Sequence, residues 1–207
     1  MAGNNYHHGD LKSALLSAAR EIVGSKGADA LSLRSIAAEV GVSHMAPYAH
    51  FKNKKALMQS VAGFGFSGLA EQLQKVKDDT IEPSEQVLLY GVQYVEYAVA
   101  NPQLYRLMLN QMHQIIESGD AKSQDVPDSV KELAEGSKKP YILLRDAFAR
   151  SKQGDSVEAK IQVKASAQGA WAMVHGLSLL MIDDHIRIPE GMDTRTYLAM
   201  AAVQKDF

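Results

Sequence analysis

Apolar residues recur along this chain at spacings of three and four, without sustained alternation, and that period predicts helices. Leu11, Leu15, Ala18, Ala19 and Ile22 share one helical face, with Gly24 and Gly27 bracketing its stop. Ser32 is placed to cap a short helix carrying Ile36, Ala37 and Val40, and Gly41 to end it in a left-handed conformation. The acidic residue that usually completes a capping box is missing, because Ser35 occupies its place. A second short helix is expected from His44 to about His50, starting near Ser43; Pro47 is tolerated in its first turn, where N–H groups have no intrahelical acceptor. Two short helices joined by a glycine turn form a helix-turn-helix.

Longer helices follow. One is expected from Asn53 to about Asp79, with Leu57, Val61, Phe64, Leu69, Leu73 and Val76 apolar. Gly63, Gly65 and Gly68 interrupt it, each costing about 0.8–1 kcal/mol relative to alanine, and either close helix packing or a hinge accounts for them. Pro83-Ser84 opens a helix from Glu85 to Ala100, and Asn101-Pro102 ends it and starts the next, lined by Leu104, Leu107, Met108, Met112 and Ile115 and closing near Glu117. Residues 118–139 are polar and read as a mobile surface segment with at most one short helix around Val130 and Leu133. Pro140 is expected to begin a helix bearing Tyr141, Leu144 and Phe148, and a last long helix runs from about Ser156 to Ile186. Its second half is apolar nearly all round, so it must be covered on most sides, and a homodimer paired through the last two long helices supplies that cover. The expected fold is all-α with nine or ten helices. A three-helix helix-turn-helix domain, a form suited to DNA binding, is expected over residues 1–56, and a helical dimerisation domain with room for a ligand-binding cavity is expected over 57–207.

Composition narrows the class. The chain is 46% hydrophobic and 22% charged over 207 residues, as in an ordinary globular protein. It has no cysteine, which excludes disulfides, thiolate catalysis and cysteine-bound zinc. The start lacks the features of a secretory signal, and the apolar stretch from Ala165 to Ile182 is broken by Ser166, Gln168, His175 and Ser178, so a cytoplasmic protein without a membrane span is expected. The net charge of −2 is uneven, at +3 over residues 1–60 and −5 beyond, and a basic end can attract phosphates. No nucleophile elbow, phosphate-binding glycine loop or catalytic carboxylate pair stands in a convincing context, so the chain does not read as an enzyme and calls for no cofactor.

The stretch from Ser32 to Leu57, above all Tyr48-x-His50-Phe51-x-Asn53-Lys54-x-x-Leu57, resembles the DNA-binding segment of the tetracycline repressor family. The resemblance implies that Tyr48 and His50 contact the phosphate backbone, that Lys54 meets a phosphate at the start of the fourth helix, that Phe51 and Leu57 are core, and that Ser32 and Arg34 flank the groove. It also places base readout on Ser43, His44, Met45 and Ala46, where this chain carries His-Met-Ala-Pro instead of small residues with a glycine and threonine or leucine. Physically, lysines such as Lys52 and Lys54 fix register on phosphates, Met45 and Ala46 suit thymine methyls, and His44 suits a guanine. His7, His8 and Asp10 read as an arm that reaches phosphate or the minor groove. Trp171-x-x-x-His175-Gly176 is similar to a motif of one subgroup of these regulators.

Tyr90, Tyr94 and Tyr97 share a helical face that Tyr105, Met108, Met112, Tyr141 and Phe148 could join around a cavity for a largely apolar small-molecule effector; plain core packing is the alternative for each. Trp171 and His175 lie one turn apart, with packing at the dimer seam, a pocket wall and metal ligation as competing roles. The sequence therefore reads as a repressor released from a palindromic double-stranded operator by a small molecule, the alternative being a ligand-binding all-α protein without DNA activity.

Overall fold

The computed structural model describes residues 8–119, 125–151 and 156–202, and the side chains of 11 onward within them. Eight α-helices form there: α1 (His8–Lys26), α2 (Leu33–Val40), α3 (Lys54–Lys75), α4 (Pro83–Ala100), α5 (Pro102–Ser118), α6 (Asp128–Arg150), α7 (Val157–Ile182) and α8 (Thr194–Ala202). Two short 3₁₀ turns, Ala28–Ala30 and Ala46–Ala49, complete the set, and no strand occurs among the described residues. The all-α expectation holds, with fewer α-helices than nine or ten. The expected arm at His7, His8 and Asp10 lies outside the described side chains.

The chain divides into two compact units that are not consecutive in sequence. The first comprises residues 1–66 and 102–137, and the second 67–101 and 138–207, so α3 and α6 each contribute to both.

In the first unit α1 packs on α2, on the Ala28–Ala30 turn and on α5. Its core holds Leu15, Ala19, Val23, Leu31, Ile36, Phe51, Leu57, Tyr105 and Met108, all essentially inaccessible to solvent. Gly63 of α3 and Gly136 of α6 meet backbone to backbone: a Cβ on Gly136 would lie 2.6 Å from the Gly63 carbonyl oxygen, and one on Gly63 would lie 2.8 Å from that of Glu132. A Cβ on Gly65 would lie 2.7 Å from Met108 Sδ, and in the second unit one on Gly68 would lie 3.1 Å from the Tyr97 hydroxyl. Close packing thus gives all three α3 glycines a reason to lack a side chain.

The second unit is built on α4, which packs against α7 and α8. Tyr90, Tyr94, Val95 and Ala98 of α4 are buried, as are Val174 and Ser178 of α7 and Leu198 of α8.

Four boundaries differ from expectation. Gly24 lies within α1, and it is Gly27, at φ 80°, that follows the helix. The long third helix stops at Lys75 and does not reach Asp79; beyond it, Val76 and Lys77 donate to the carbonyls of Leu73 and Gln74 in tighter, three-residue turns. Pro140 does not begin a helix. It sits inside the 23-residue α6, which starts at Asp128 and buries Val130 and Leu133, so the second half of the segment expected to be mobile is ordered helix. Apolar burial of those two residues outweighs a proline whose cost is about 3 kcal/mol. Finally, α7 ends at Ile182 with Asp183 at its C-terminus, and Asp184 at φ 61° turns the chain toward α8, which the sequence reading did not anticipate.

Candidate functional site

In the first unit, the helix-turn-helix is set by local chemistry. Ser32 caps α2 by accepting from the Ser35 amide at 3.0 Å, and Ser35 Oγ accepts from the Ser32 amide at 2.9 Å. The capping box is therefore complete, with a second serine in the acidic position. At the other end Gly41 takes φ 75°, ψ 30°, Val42 donates to Ala37 at 3.0 Å and Gly41 to Ala38 at 3.2 Å, the paired bonds of a Schellman turn.

The second member of the motif is tighter than expected. Residues 46–49 form a 3₁₀ turn, not a helix from His44, with Tyr48 donating to Met45 at 3.1 Å and His50 to Pro47 at 3.0 Å. Pro47 explains this, since it has no N–H for a carbonyl on the preceding turn and biases Ala46 away from helical geometry. Its ring is buried, and the turn packs on α2.

This arrangement turns the predicted reading residues outward. Arg34, Ser43, His44, Met45, Tyr48, Lys52 and Lys54 are exposed, Ser32, Ala46 and His50 are half-buried, and Phe51 and Leu57 are core. Met45 is 72% exposed and Tyr48 49%, values that packing within this chain does not account for. Asn53 caps α3 by accepting from the Ala56 amide at 2.9 Å. Three exposed lysines, Lys52, Lys54 and Lys55, surround that N-terminus, where the helix dipole is already positive; Lys54 Nζ donates to the Asp29 carbonyl at 3.2 Å. Behind this surface, Glu132 of α6 bonds Lys12 and accepts from Ser60 at 2.6 Å, and Ser129 donates to Gln59 at 2.8 Å, ties that fix the start of α3.

The second unit holds a cavity of about 320 Å³. Leu73, Leu88, Tyr90, Tyr94, Leu144, Phe148, Trp171 and Leu198 are among its lining residues, as are Pro140 and Gly169. Of the sequence-predicted ligand residues, Tyr90, Tyr94, Phe148 and Trp171 line it directly. The Tyr141 and His175 rings each lie with their centroids 5.8 Å from that of Trp171, inclined to it by 56° and 63°. The Tyr94 hydroxyl is 3.1 Å from His175 Nδ1, so His175 reaches the wall through Tyr94. Burial lowers the His175 pKa and holds the ring neutral, and burial likewise raises that of Tyr90. Tyr97 is buried against Gly68, whereas Tyr105, Met108 and Met112 belong to the first unit, and none of the four is on the wall. Sequence reasoning missed Leu73, Leu88 and Leu198 as wall residues, because a leucine on an apolar face carries no signal distinguishing cavity from core. Among the described residues no three His, Asp or Glu side chains gather as metal ligands, and no helix is long and apolar enough to cross a membrane.

Comparison with known proteins adds two family matches. Residues 15–61 match bacterial regulatory proteins of the tetR family, and residues 87–203 match the tetracyclin repressor-like C-terminal domain. No curated protein matches. Among solved structures the chain is similar to a protein of unknown function from Rhodococcus sp. RHA1, at 26% identity and TM-score 0.66 over 97% of this chain and 95% of that one. It is also similar to a tetR-family regulatory protein from Rhodococcus RHA1, at 16% identity and TM-score 0.58 over 93% and 92%. AibR, solved in complex with isovaleryl coenzyme A and operator DNA, shares the fold at 18% identity and TM-score 0.53 over 93% and 95%.

Proposed function

We propose that this chain, which belongs to the tetR family of bacterial transcriptional regulators, is a homodimeric repressor released from a palindromic operator when an apolar small molecule enters the cavity of its second unit. Residues 1–56 serve as the DNA-reading segment and 57–207 as the ligand-binding and dimerising one, acting in the cytoplasm where bacterial DNA lies. The Trp171-x-x-x-His175-Gly176 motif marks its subgroup.

The outward face of the helix-turn-helix carries this reading. Its exposed residues are the ones DNA binding needs and a structural helix pair does not: a bare methionine and tyrosine beside lysines crowded at a positive helix end. In the complex Tyr48, His50, Lys52 and Lys54 hold phosphates, Ser32 and Arg34 flank the groove, and Ser43, His44, Met45 and Ala46 meet base edges. Tyr90, Tyr94, Phe148 and Trp171 contact the effector, with His175 orienting Tyr94 and Tyr141 backing Trp171. Dimerisation uses α7, whose Ile161, Ala165, Gln168 and Ala172 form an exposed stripe, together with the exposed Ile142 of α6. The effector must bind the DNA-incompetent state better, and that difference limits the release it causes.

Selection of a randomised duplex pool by purified protein at two salt concentrations tests the reading. Enrichment of a palindrome with salt-sensitive affinity is the expected result. A pool returned unenriched at both salts overturns it in favour of a ligand-binding protein without DNA activity.

A further inference from the structure

We infer that the effector is uncharged at neutral pH, an amphiphile with an apolar body and one hydrogen-bonding head such as an alcohol, ketone or phenol, and that the cavity rejects the corresponding carboxylates. This deepens the proposed effector site and rests on it.

Among the described residues, none that lines the cavity is an Asp, Glu, Lys, Arg or His. Its polar side-chain groups are the hydroxyls of Ser84, Tyr90 and Tyr94 and the indole N–H of Trp171, all of which suit a neutral head group. Several charged residues on the helices that line it are engaged elsewhere. Arg150 donates to the carbonyls of Asp79 and Ile81 at 2.8 and 2.7 Å and pairs with the Asp79 carboxylate at 3.4 Å. Arg145 pairs with Asp146, and Arg195 with Glu85 next to Ser84. His175 meets the wall through the Tyr94 hydroxyl and the Trp171 ring, and a cation there would have to form in a buried site. A carboxylate drawn fully in among these wall groups would therefore lose its water without gaining a counter-ion from them, which favours binding as the neutral acid.

That constraint has a size. An ordinary carboxyl with pKa of about 4.3 is protonated to only about one part in 500 at pH 7, so a fatty acid should bind a few hundredfold more weakly than the alcohol of the same length. Its apparent affinity should climb about tenfold for each pH unit lowered toward that pKa, while the alcohol's stays level.

Trp171 is the single tryptophan of the chain and lies on the cavity wall, so its fluorescence in the full-length protein reports occupancy directly. Titration with 1-decanol and with decanoate at pH 7 and pH 6, followed by the same additions to the protein bound to its selected operator, separates the two layers of the argument. The inference predicts tight decanol binding, decanoate at least about 100-fold weaker at pH 7, and a roughly tenfold gain for decanoate alone at pH 6. Equal affinities at pH 7, or a decanoate affinity indifferent to pH, overturns the charge selectivity. Decanol that changes Trp171 fluorescence with the predicted selectivity but leaves the operator bound overturns the effector-site reading and leaves the selectivity standing.

Discussion

At the scale of single residues, the glycines of α3 and α6 separate two kinds of tight contact. Alanine at Gly136 or Gly63 would meet a main-chain carbonyl, which no rotamer change can clear, whereas alanine at Gly65 would meet the flexible end of Met108. Overpacking costs about 1–3 kcal/mol, against a helix-propensity gain of about 0.8–1 kcal/mol. Gly136→Ala and Gly63→Ala are expected to lower the melting temperature by several degrees, and Gly65→Ala to change it little; calorimetry of the three variants checks the order. His175 supplies a pH dependence. Burial holds its folded pKa below the unfolded value of about 6.5, so below that pH the unfolded chain takes up a proton that the folded chain resists. Stability is then full above about pH 6.5 and falls as pH drops toward the folded pKa. The wild type should lose more melting temperature between pH 7.5 and 5.5 than His175→Asn, which has no titrating ring; equal losses would refute the assignment.

At the scale of elements, what the sequence revealed depended on whether a helix's ends were written locally. Ser32 and Gly41 delimited α2 to the residue, and Pro83, Pro102 and Ser156 marked three other helix starts, because caps act through side chains only a few positions away. The exposed face of the helix-turn-helix was legible for the same reason, its residues being contiguous and its exposure following from two flanking core positions, Phe51 and Leu57. Pro140 misled because its local meaning, a helix start, was overruled by distant packing at Val130, Leu133 and Gly136 that no local pattern encodes. The cavity was half legible: its aromatics stood out, while its leucines and the lack of charge among its described lining residues became visible only once five helices were brought together. In α6 the proline faces the Gly136 carbonyl one turn back, where its ring prevents a normal helical bond. Pro140→Ala should recover about 3 kcal/mol of helix stability against about 1–2 kcal/mol of lost burial, a net gain read as a melting temperature higher by a few degrees. An unchanged or lower value would mean that the proline's contact with the cavity wall dominates.

At the scale of the whole molecule, the exposed stripe of α7 is a departure from what a single chain can satisfy. Val157 and Ile161 are 68% and 62% exposed on a helix whose sequence is apolar over most of its circumference. Replacing Ile161 by glutamate places a charge in the proposed seam. Light scattering should then read 22.6 kDa in place of twice that mass, with operator affinity lost in parallel; a variant that stays dimeric would move the seam elsewhere. The interleaving of the two compact units also bears on how the chain is made. The unit that carries the helix-turn-helix needs residues 102–137 as well as 1–66, including the Glu132 and Ser129 that hold Lys12, Ser60 and Gln59. At about 5–20 residues per second a ribosome takes about 4–14 s after Phe66 to deliver Ser137. During that interval the nascent reading segment has its turn and caps but lacks the helices that steady it, so a newly made chain gains its grip on DNA late in its own synthesis.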